Sequence, residues 1–312
     1  MSAEPHSLIL TGGLAGLRAQ ALGLAEAMGL PHEVRDLAPA APWRWMPARF
    51  WPAAQRVVAR SLPERLPGLL IGCGGMAGAV LAALRRPDRP VVQVQNPRMD
   101  LRRFDVVVAN WHDEVAGPNV LLSRTALHRV TPDRLRAEAE RWHDRLAPYG
   151  RPLVAVLLGG NNGRYTLDLA TGRRLADDLA EMMRADRVGV VVTPSRRTDP
   201  AITALLRQAL APLGGWVWDF TGDNPYFGML ALADMILATK DSVSMISEAA
   251  ATAAPVMVIP LPGDSRRQRI FLKVMRAEGR IRPFAGRYDP WPVRPLNDTP
   301  EVACEARLRL GL

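Results

Sequence analysis

Residues 236–261, "ILATKDSVSMISEAAATAAPVMVIPL", set two apolar runs on either side of a polar knot, Thr239-Lys240-Asp241-Ser242-Val243-Ser244, with Glu248 a little further on. "MILAT" has the continuous apolar character of a strand buried on both faces, and "VSMISEAAATA" reads as the helix that follows. Asp241, Ser242 and Ser244 then fall at the cap and first turn of that helix. Backbone N–H groups there lack intrahelical acceptors and the helix dipole favours negative charge, so hydroxyls at this place suit a phosphate. Glu248 lies four residues after Ser244, about one turn deeper on the same face, where a carboxylate can accept hydrogen bonds from ribose hydroxyls. Asp241 or Ser242 would equally occur there as a plain helix cap.

Working outward, the same rhythm of strand, glycine turn and helix recurs. "SLILTGG" (7–13) leads into "LRAQALGLAEAMG" (17–29), and "GLLIGCGGMAGAVLAALRR" (68–86) repeats the unit before the strands "PVVQVQNP" and "FDVVVANWHDE". An Arg-rich polar helix (133–150) follows. The pattern then restarts with "RPLVAVLLGGNNGRY", "GRRLADDLAEMMRAD", "VGVVVTPSRRT" and "AITALLRQALAPL". Near-continuous Val/Ile/Leu strands alternating with helices imply parallel sheets covered on both faces. The expected fold is therefore α/β, with two Rossmann-like doubly wound domains. They are expected at 1–149 and 150–312, with a terminal helix from "TPEVACEARLRLGL" crossing back to the first.

With 312 residues and 48% hydrophobic content the chain can bury two cores. No apolar run approaches the roughly 18 residues of a membrane span. The start, "MSAEPHSLILTGG", lacks the basic and apolar blocks of a signal peptide, so a cytoplasmic location is expected. Cys73 and Cys304 are too few and too far apart for a disulfide framework or a zinc site. The net charge of +9 points to anionic partners, although Lys240 and Lys273 are the only lysines among 40 basic residues. So strong an arginine bias also fits the imprint of a GC-rich bacterial genome. Nucleic acid is not an expected partner, since no basic tail and no aromatic-basic interleaving on a sheet surface is present.

In doubly wound sheets ligands bind beyond the carboxyl ends of the strands. In the second series these ends carry Gly159, Gly160, Asn161 and Asn162, then Thr193, Ser195, Arg196 and Arg197, then Asn224 and Tyr226, then Thr239 and the opening knot. All four are polar or glycine-rich, which suggests one shared crevice. Each has a blander explanation: surface arginines are common in this chain, and Asn-Pro is a turn signal with Tyr226 as its anchor. Other chemistries are poorly supported. The first loop, Gly12-Gly13 to Gly16, is not a full G-x-G-x-x-G, no Walker lysine follows a glycine loop, and Gly-x-Ser-x-Gly is absent. No Asp-x-Asp ends a strand, so neither a metal nor a resident cofactor is expected.

The long strings "NPYFGMLALADMILATKDSVSMISEAAATAAPVMVIPL" with "SRRT" upstream, "HDEVAGPNVLLSRTALHRV", "LLGGNNGRY", "RPFAG" and "PLNDT", and a glycine turn followed by Gln20, resemble the mitochondrial-fission Elm family. That family is named for a plant protein and is widespread in proteobacteria. The resemblance runs almost end to end. It implies a fold similar to GT-B glycosyltransferases, with two Rossmann-like domains facing across a cleft, the first for an acceptor and the second for a nucleotide-diphosphate sugar as co-substrate. On that comparison Gly159, Gly160 and Asn161 approach the diphosphate as a backbone nest, with Ser242 and Ser244 on its other side. Arg196 or Arg197 neutralises the leaving group, and Tyr226 stacks on a base. His112 and Asp113, directly after "VVVAN", are the implied general-base pair. The chain departs from the family in its first loop, which reads Gly16-Leu17-Arg18-Ala19-Gln20 without the family's histidine. Two classes of function follow: a metal-independent GT-B-type glycosyltransferase with a cell-envelope acceptor, or a non-catalytic nucleotide-binding or scaffold protein.

Residues 41–67, "APWRWMPARFWPAAQRVVARSLPERLP", stand apart. Trp43, Trp45, Phe50 and Trp51 among Arg44, Arg49, Arg56 and Arg60 match an interfacial membrane helix, in peripheral contact with an anionic inner membrane. Because Pro42, Pro47 and Pro52 break the helical pattern, the favoured expectation is an ordinary sheet-covering helix, its aromatics buried and its arginines solvated.

Overall fold

The computed structural model describes residues 7–312. The chain separates into two compact units, residues 7–129 with 297–312, and residues 130–296. In the first, β1 (Ser7–Thr11) leads through α1 (Ala15–Ala27) to β2 (His32–Asp36). Then α2 (Ala54–Val57), β3 (Leu69–Cys73), α3 (Gly74–Leu84), β4 (Val91–Val94), β5 (Val106–Asn110) and β6 (Val120–Ser123) follow. The six strands are all parallel, in the order β2-β1-β3-β4-β5-β6. Successive side chains alternate faces. Ile9, Ile71 and Val92 pack under α1, whereas Leu8, Leu10 and Leu70 pack under α2 and α3. With both faces covered, an uninterrupted apolar strand is the stable solution.

The second unit runs α4 (Pro132–Leu146), β7 (Leu153–Leu158), α5 (Leu169–Asp186), β8 (Gly189–Pro194), α6 (Pro200–Leu210) and β9 (Trp216–Val217). It continues with α7 (Tyr226–Leu232), β10 (Met235–Thr239), α8 (Val243–Ala250), β11 (Val256–Ile259), α9 (Arg266–Ala277) and β12 (Ile281–Pro283). Its parallel order is β12-β11-β10-β7-β8-β9. Val154, Val156 and Leu158 face α5 and α6, and Ala155 and Leu157 face α4, α7, α8 and α9. The chain winds outward from β7 through β8 and β9, then restarts on β7's other side with β10. The topological switch point therefore lies between β7 and β10. In the first unit it lies between β1 and β3. Both units are Rossmann-like.

Two expectations need correction. The seam falls at 129/130 and not near 150, because α4 belongs to the second unit: Trp142 of α4 is wholly buried there, in contact with Gly228 of α7. Its polar, Arg-rich sequence hid that one anchoring indole. The last helix, α10 (Thr299–Leu310), contributes Val302, Ala303 and Ala306 to the first unit's core, and Asp298 pairs with Arg124 at 2.5 Å. Residues 41–67 do not form a sheet-covering helix either. The prolines divide the segment into single 3₁₀ turns at Trp43–Trp45, Ala48–Phe50 and Ala59–Ser61 around the four-residue α2. Among the described residues no helix is long and apolar enough to cross a membrane.

A Cβ added at Gly228 would stand 2.3 Å from Trp142 Cγ, which a buried indole cannot relieve. Gly228→Ala should therefore destabilise the protein by about 1–3 kcal/mol, although alanine is the better helix former. A lowered urea midpoint with unchanged m-value is the expected result.

Candidate functional site

At the β7/β10 switch point the loops are tied together by one carboxylate. Asp241 Oδ1 accepts from Thr239 Oγ1 at 2.6 Å, and Oδ2 accepts from the Gly160 N–H at 3.3 Å and lies 2.8 Å from Arg197 Nη2. Thr239 Oγ1 in turn accepts from the Gly159 N–H at 2.7 Å. The other nitrogen of the fork, Arg197 Nη1, donates to Gly160 O at 3.0 Å. Ser195 Oγ and Thr198 Oγ1 both donate to Gly159 O, at 2.7 and 2.5 Å. The loops after β7, β8 and β10 are thus one hydrogen-bonded body. Only glycine fits at its centre: a Cβ on Gly159 would stand 2.2 Å from Asp241 Oδ1, and one on Gly160 2.1 Å from Arg197 O. Asn161 and Asn162 shape the rest of the loop. Asn161 Oδ1 accepts from the Leu167 N–H and Asn162 Oδ1 from the Arg164 and Tyr165 N–H groups.

The structure brings Gly159, Gly160, Ser195, Arg197, Thr239 and Asp241 together, and in doing so corrects the chemistry expected of several. The amides of Gly159 and Gly160 are taken by Thr239 and Asp241, so they form no open nest. Arg197 is committed to Asp241. Arg196, by contrast, is exposed and makes no hydrogen bond or ion pair with any described residue. At the same sheet edge, after β10, Ser242 caps α8, accepting from the Met245 N–H at 3.3 Å, and Ser244 sits in that helix's first turn. The Lys240 ammonium lies 5.2 Å above the ring of Tyr165.

Glu248 is buried within α8, and the Tyr226 hydroxyl donates to its Oε2. Tyr226 is half-buried, edge-on to Phe227 at 5.7 Å, with its own N–H received by Asn224 Oδ1 at 3.0 Å. The asparagine is therefore a turn residue, and the tyrosine supports Glu248 where base stacking was expected. Burial pushes the Glu248 carboxyl from 4.5 up to about 7, against the opposing pull of the Tyr226 hydrogen bond.

In the first unit, Gly12, Gly13 and Gly16 fall beside the β1/β3 switch point, and the buried Gln20 accepts from Gln95 Nε2 at 3.2 Å. His112 and Asp113 lie elsewhere along the same edge, in a 3₁₀ turn after β5, three strand positions from β1. His112 is buried, and Asp113 accepts the Asn110 N–H at 3.2 Å. The glycine loop and the histidine are thus separate clusters. Two contributors escaped the sequence reading, Thr198 and Gln268, the latter donating to Lys240 O at 2.5 Å. Gln268 follows β11, and the strand-end rule applied to that strand as well would have found it. A groove of about 710 Å³ elsewhere in the second unit, between α5 and the loops after β11 and β12, includes none of these residues.

Residues 15–310 match the family described as Mitochondrial fission ELM1. The chain belongs to that family. It is 33% identical over 277 residues to the Mitochondrial fission protein ELM1 of Arabidopsis thaliana, covering 78% of this chain and 64% of the plant protein, so it spans less than two thirds of that relative. It is also 26% identical over 297 residues to a UDP-N-acetylglucosamine--N-acetylmuramyl-(pentapeptide) pyrophosphoryl-undecaprenol N-acetylglucosamine transferase of Deinococcus deserti, covering 86% of this chain and 76% of that protein. Among solved structures, the UDP-GlcNAc 2-epimerase of Methanocaldococcus jannaschii in complex with UDP-GlcNAc and UDP matches with a TM-score of 0.55 at 11% identity, over 98% of this chain and 99% of the other. Acinetobacter baumannii MurG matches at 0.50 and 18%, over 98% and 90%. At these identities the structural likeness establishes the fold, which is that of the GT-B enzymes.

The adjacent arginines of this ELM1-family chain should separate cleanly by mutation. Arg197→Ala leaves the Asp241 carboxylate buried without its counter-charge and should cost about 2–4 kcal/mol, whereas Arg196→Ala should stay within about 0.5 kcal/mol of wild type in the same denaturant melts. Glu248 supplies a pH signature. Between 4.5 and about 7 the folded protein holds a proton that the unfolded chain has released, so this group's contribution becomes less favourable as pH rises through that window. Glu248→Gln removes the dependence. Relative to wild type it should gain on the order of 1–3 kcal/mol between about pH 5 and pH 8, measured by urea unfolding at both.

Proposed function

We propose that the second unit binds a nucleoside diphosphate-sugar at the β7/β10 switch point and that the protein transfers the sugar to an acceptor, without a metal. The observation carrying this reading is the convergence of the β7, β8 and β10 loops into one rigid edge, with an uncommitted guanidinium and a serine-capped helix start beside it. Arg196 and the first turn of α8, with Ser242 and Ser244, face the charge that grows on the diphosphate as the glycosidic bond breaks. Glu248 accepts from the ribose through Oε1, since Tyr226 holds Oε2. The nucleotide's chemistry is suggested by the UDP in the solved relatives. His112 with Asp113 is assigned the proton of the acceptor hydroxyl.

A second reading, a non-catalytic nucleotide-binding or scaffold protein, is favoured by two observations: the burial of His112 and the internal use of the Gly159 and Gly160 amides. Calorimetric titration with UDP, GDP and UDP-GlcNAc separates the possibilities. The transferase reading expects UDP to bind in the millimolar range or tighter, Arg196→Ala to weaken it about tenfold, and UDP-GlcNAc to be consumed when acceptor is present. Binding by wild type with no turnover of any UDP-sugar supports the second reading. No binding of any nucleotide at millimolar concentration would sink both nucleotide-based readings.

A further inference from the structure

We propose that the turns at residues 43–50 of the first unit form a membrane-docking face that seats on an anionic phospholipid bilayer. Trp45 is 67% exposed, Phe50 58% and Met46 43%, within six residues of each other. Each ring carries an arginine on its face: Arg44 lies 4.2 Å from the Trp45 centroid and Arg49 4.7 Å from that of Phe50. The segment is held from beneath. Trp51 is buried, and its indole N–H is shared between Trp43 O at 3.1 Å and Met46 O at 3.2 Å, while the Ala40 N–H donates to Val57 O at 3.0 Å. One buried tryptophan thus fixes the two turns that display the exposed rings, which cuts the ordering cost of inserting them.

Charge and size select a bilayer over a protein partner. From residue 37 to residue 63 the sequence holds four arginines and no aspartate or glutamate. Arg44, Arg49, Arg56 and Arg60 are all exposed and none forms an ion pair with a described residue. Some exposed arginines elsewhere find acids, as Arg85 does in Asp105 and Arg141 in Asp223, and others, Arg196 among them, do not; four together on a stretch with no acid of its own is what marks this segment. An unneutralised basic rim around aromatic tips matches anionic headgroups over the interfacial zone where Trp and Phe rings partition. The exposed apolar surface is too small for a stable protein interface. Three side chains at this exposure offer roughly 400 Å², against roughly 800 Å² per partner in a standard complex.

The test is co-sedimentation of the full chain with vesicles of phosphatidylglycerol mixed with phosphatidylcholine, and with phosphatidylcholine alone. Wild type should bind the anionic vesicles, bind neutral ones at least about tenfold more weakly, and lose binding as salt is raised. Trp45→Ser with Phe50→Ser should reduce binding to anionic vesicles at least about tenfold, and so should Arg44→Gln with Arg49→Gln, with melting temperatures within a degree or so of wild type because all four side chains are exposed. Failure of wild type to bind anionic vesicles overturns the proposal, as does undiminished binding by the aromatic double variant. A shift from dimer to monomer in that variant, seen by analytical ultracentrifugation without lipid, would assign the patch to a second copy of the chain and overturn it too.

Discussion

The edge of the second unit depends on a single buried charge. Asp241 has no solvent-exposed side-chain surface, and its carboxylate is balanced by one guanidinium, one hydroxyl and one backbone amide drawn from three loops. A carboxylate held this way is expensive to leave unpaired, so each loop is obliged to keep its donor in place. That obligation explains why glycine stands at 159 and 160, where any side chain would enter the space of Asp241 or the Arg197 backbone. It also explains why Ser195 and Thr198 both turn back onto Gly159 O.

The same constraint decides which groups remain for a ligand. Donors consumed in holding loops together cannot also hold phosphate, and this removes Arg197 and two glycine amides. On the reading proposed above, the groups that would meet a ligand are less conspicuous: Arg196, the α8 first turn, and the Oε1 side of Glu248. Glu248 is supported in the same style, with Tyr226 engaging one oxygen. Its half-neutral state near pH 7 follows from burial, and a ligand hydroxyl donating to Oε1 would draw it toward the charged form.

The strand and helix sequence was legible because parallel strands covered on both faces must be apolar along their whole length, and "VVVAN", "LVAVLL" and "MILAT" are β5, β7 and β10. Strand-end placement of the polar residues was legible for the same reason. What could not be read was direction. Arg196 and Arg197 are indistinguishable in sequence, yet one is locked to Asp241 and the other faces solvent, a difference set by which way the β8 loop turns. The unit seam was misplaced because Trp142 and Gly228, 86 residues apart, meet only in three dimensions. Residues 41–67 defeated a periodicity reading because Pro42, Pro47 and Pro52 leave no helix longer than the four-residue α2 for a period to describe.

Both units use one device: a buried side chain with divided hydrogen bonds fixes a loop whose neighbours are exposed. Asp241 does this with charge, and Trp51 does it with a single indole N–H shared between two carbonyls. In each case the anchor is the residue that looks functional in sequence, an aspartate at a helix cap or a tryptophan in an aromatic cluster. The exposed neighbour, Arg196 or Trp45, looks incidental. A ligand adds least ordering cost where the backbone is already fixed, so the exposed residue next to a buried anchor is where binding free energy is best realised. That relation ties the chemistry proposed for each unit to the packing beneath it, and it makes the unpaired groups, not the richest motifs, the sensitive positions in this chain.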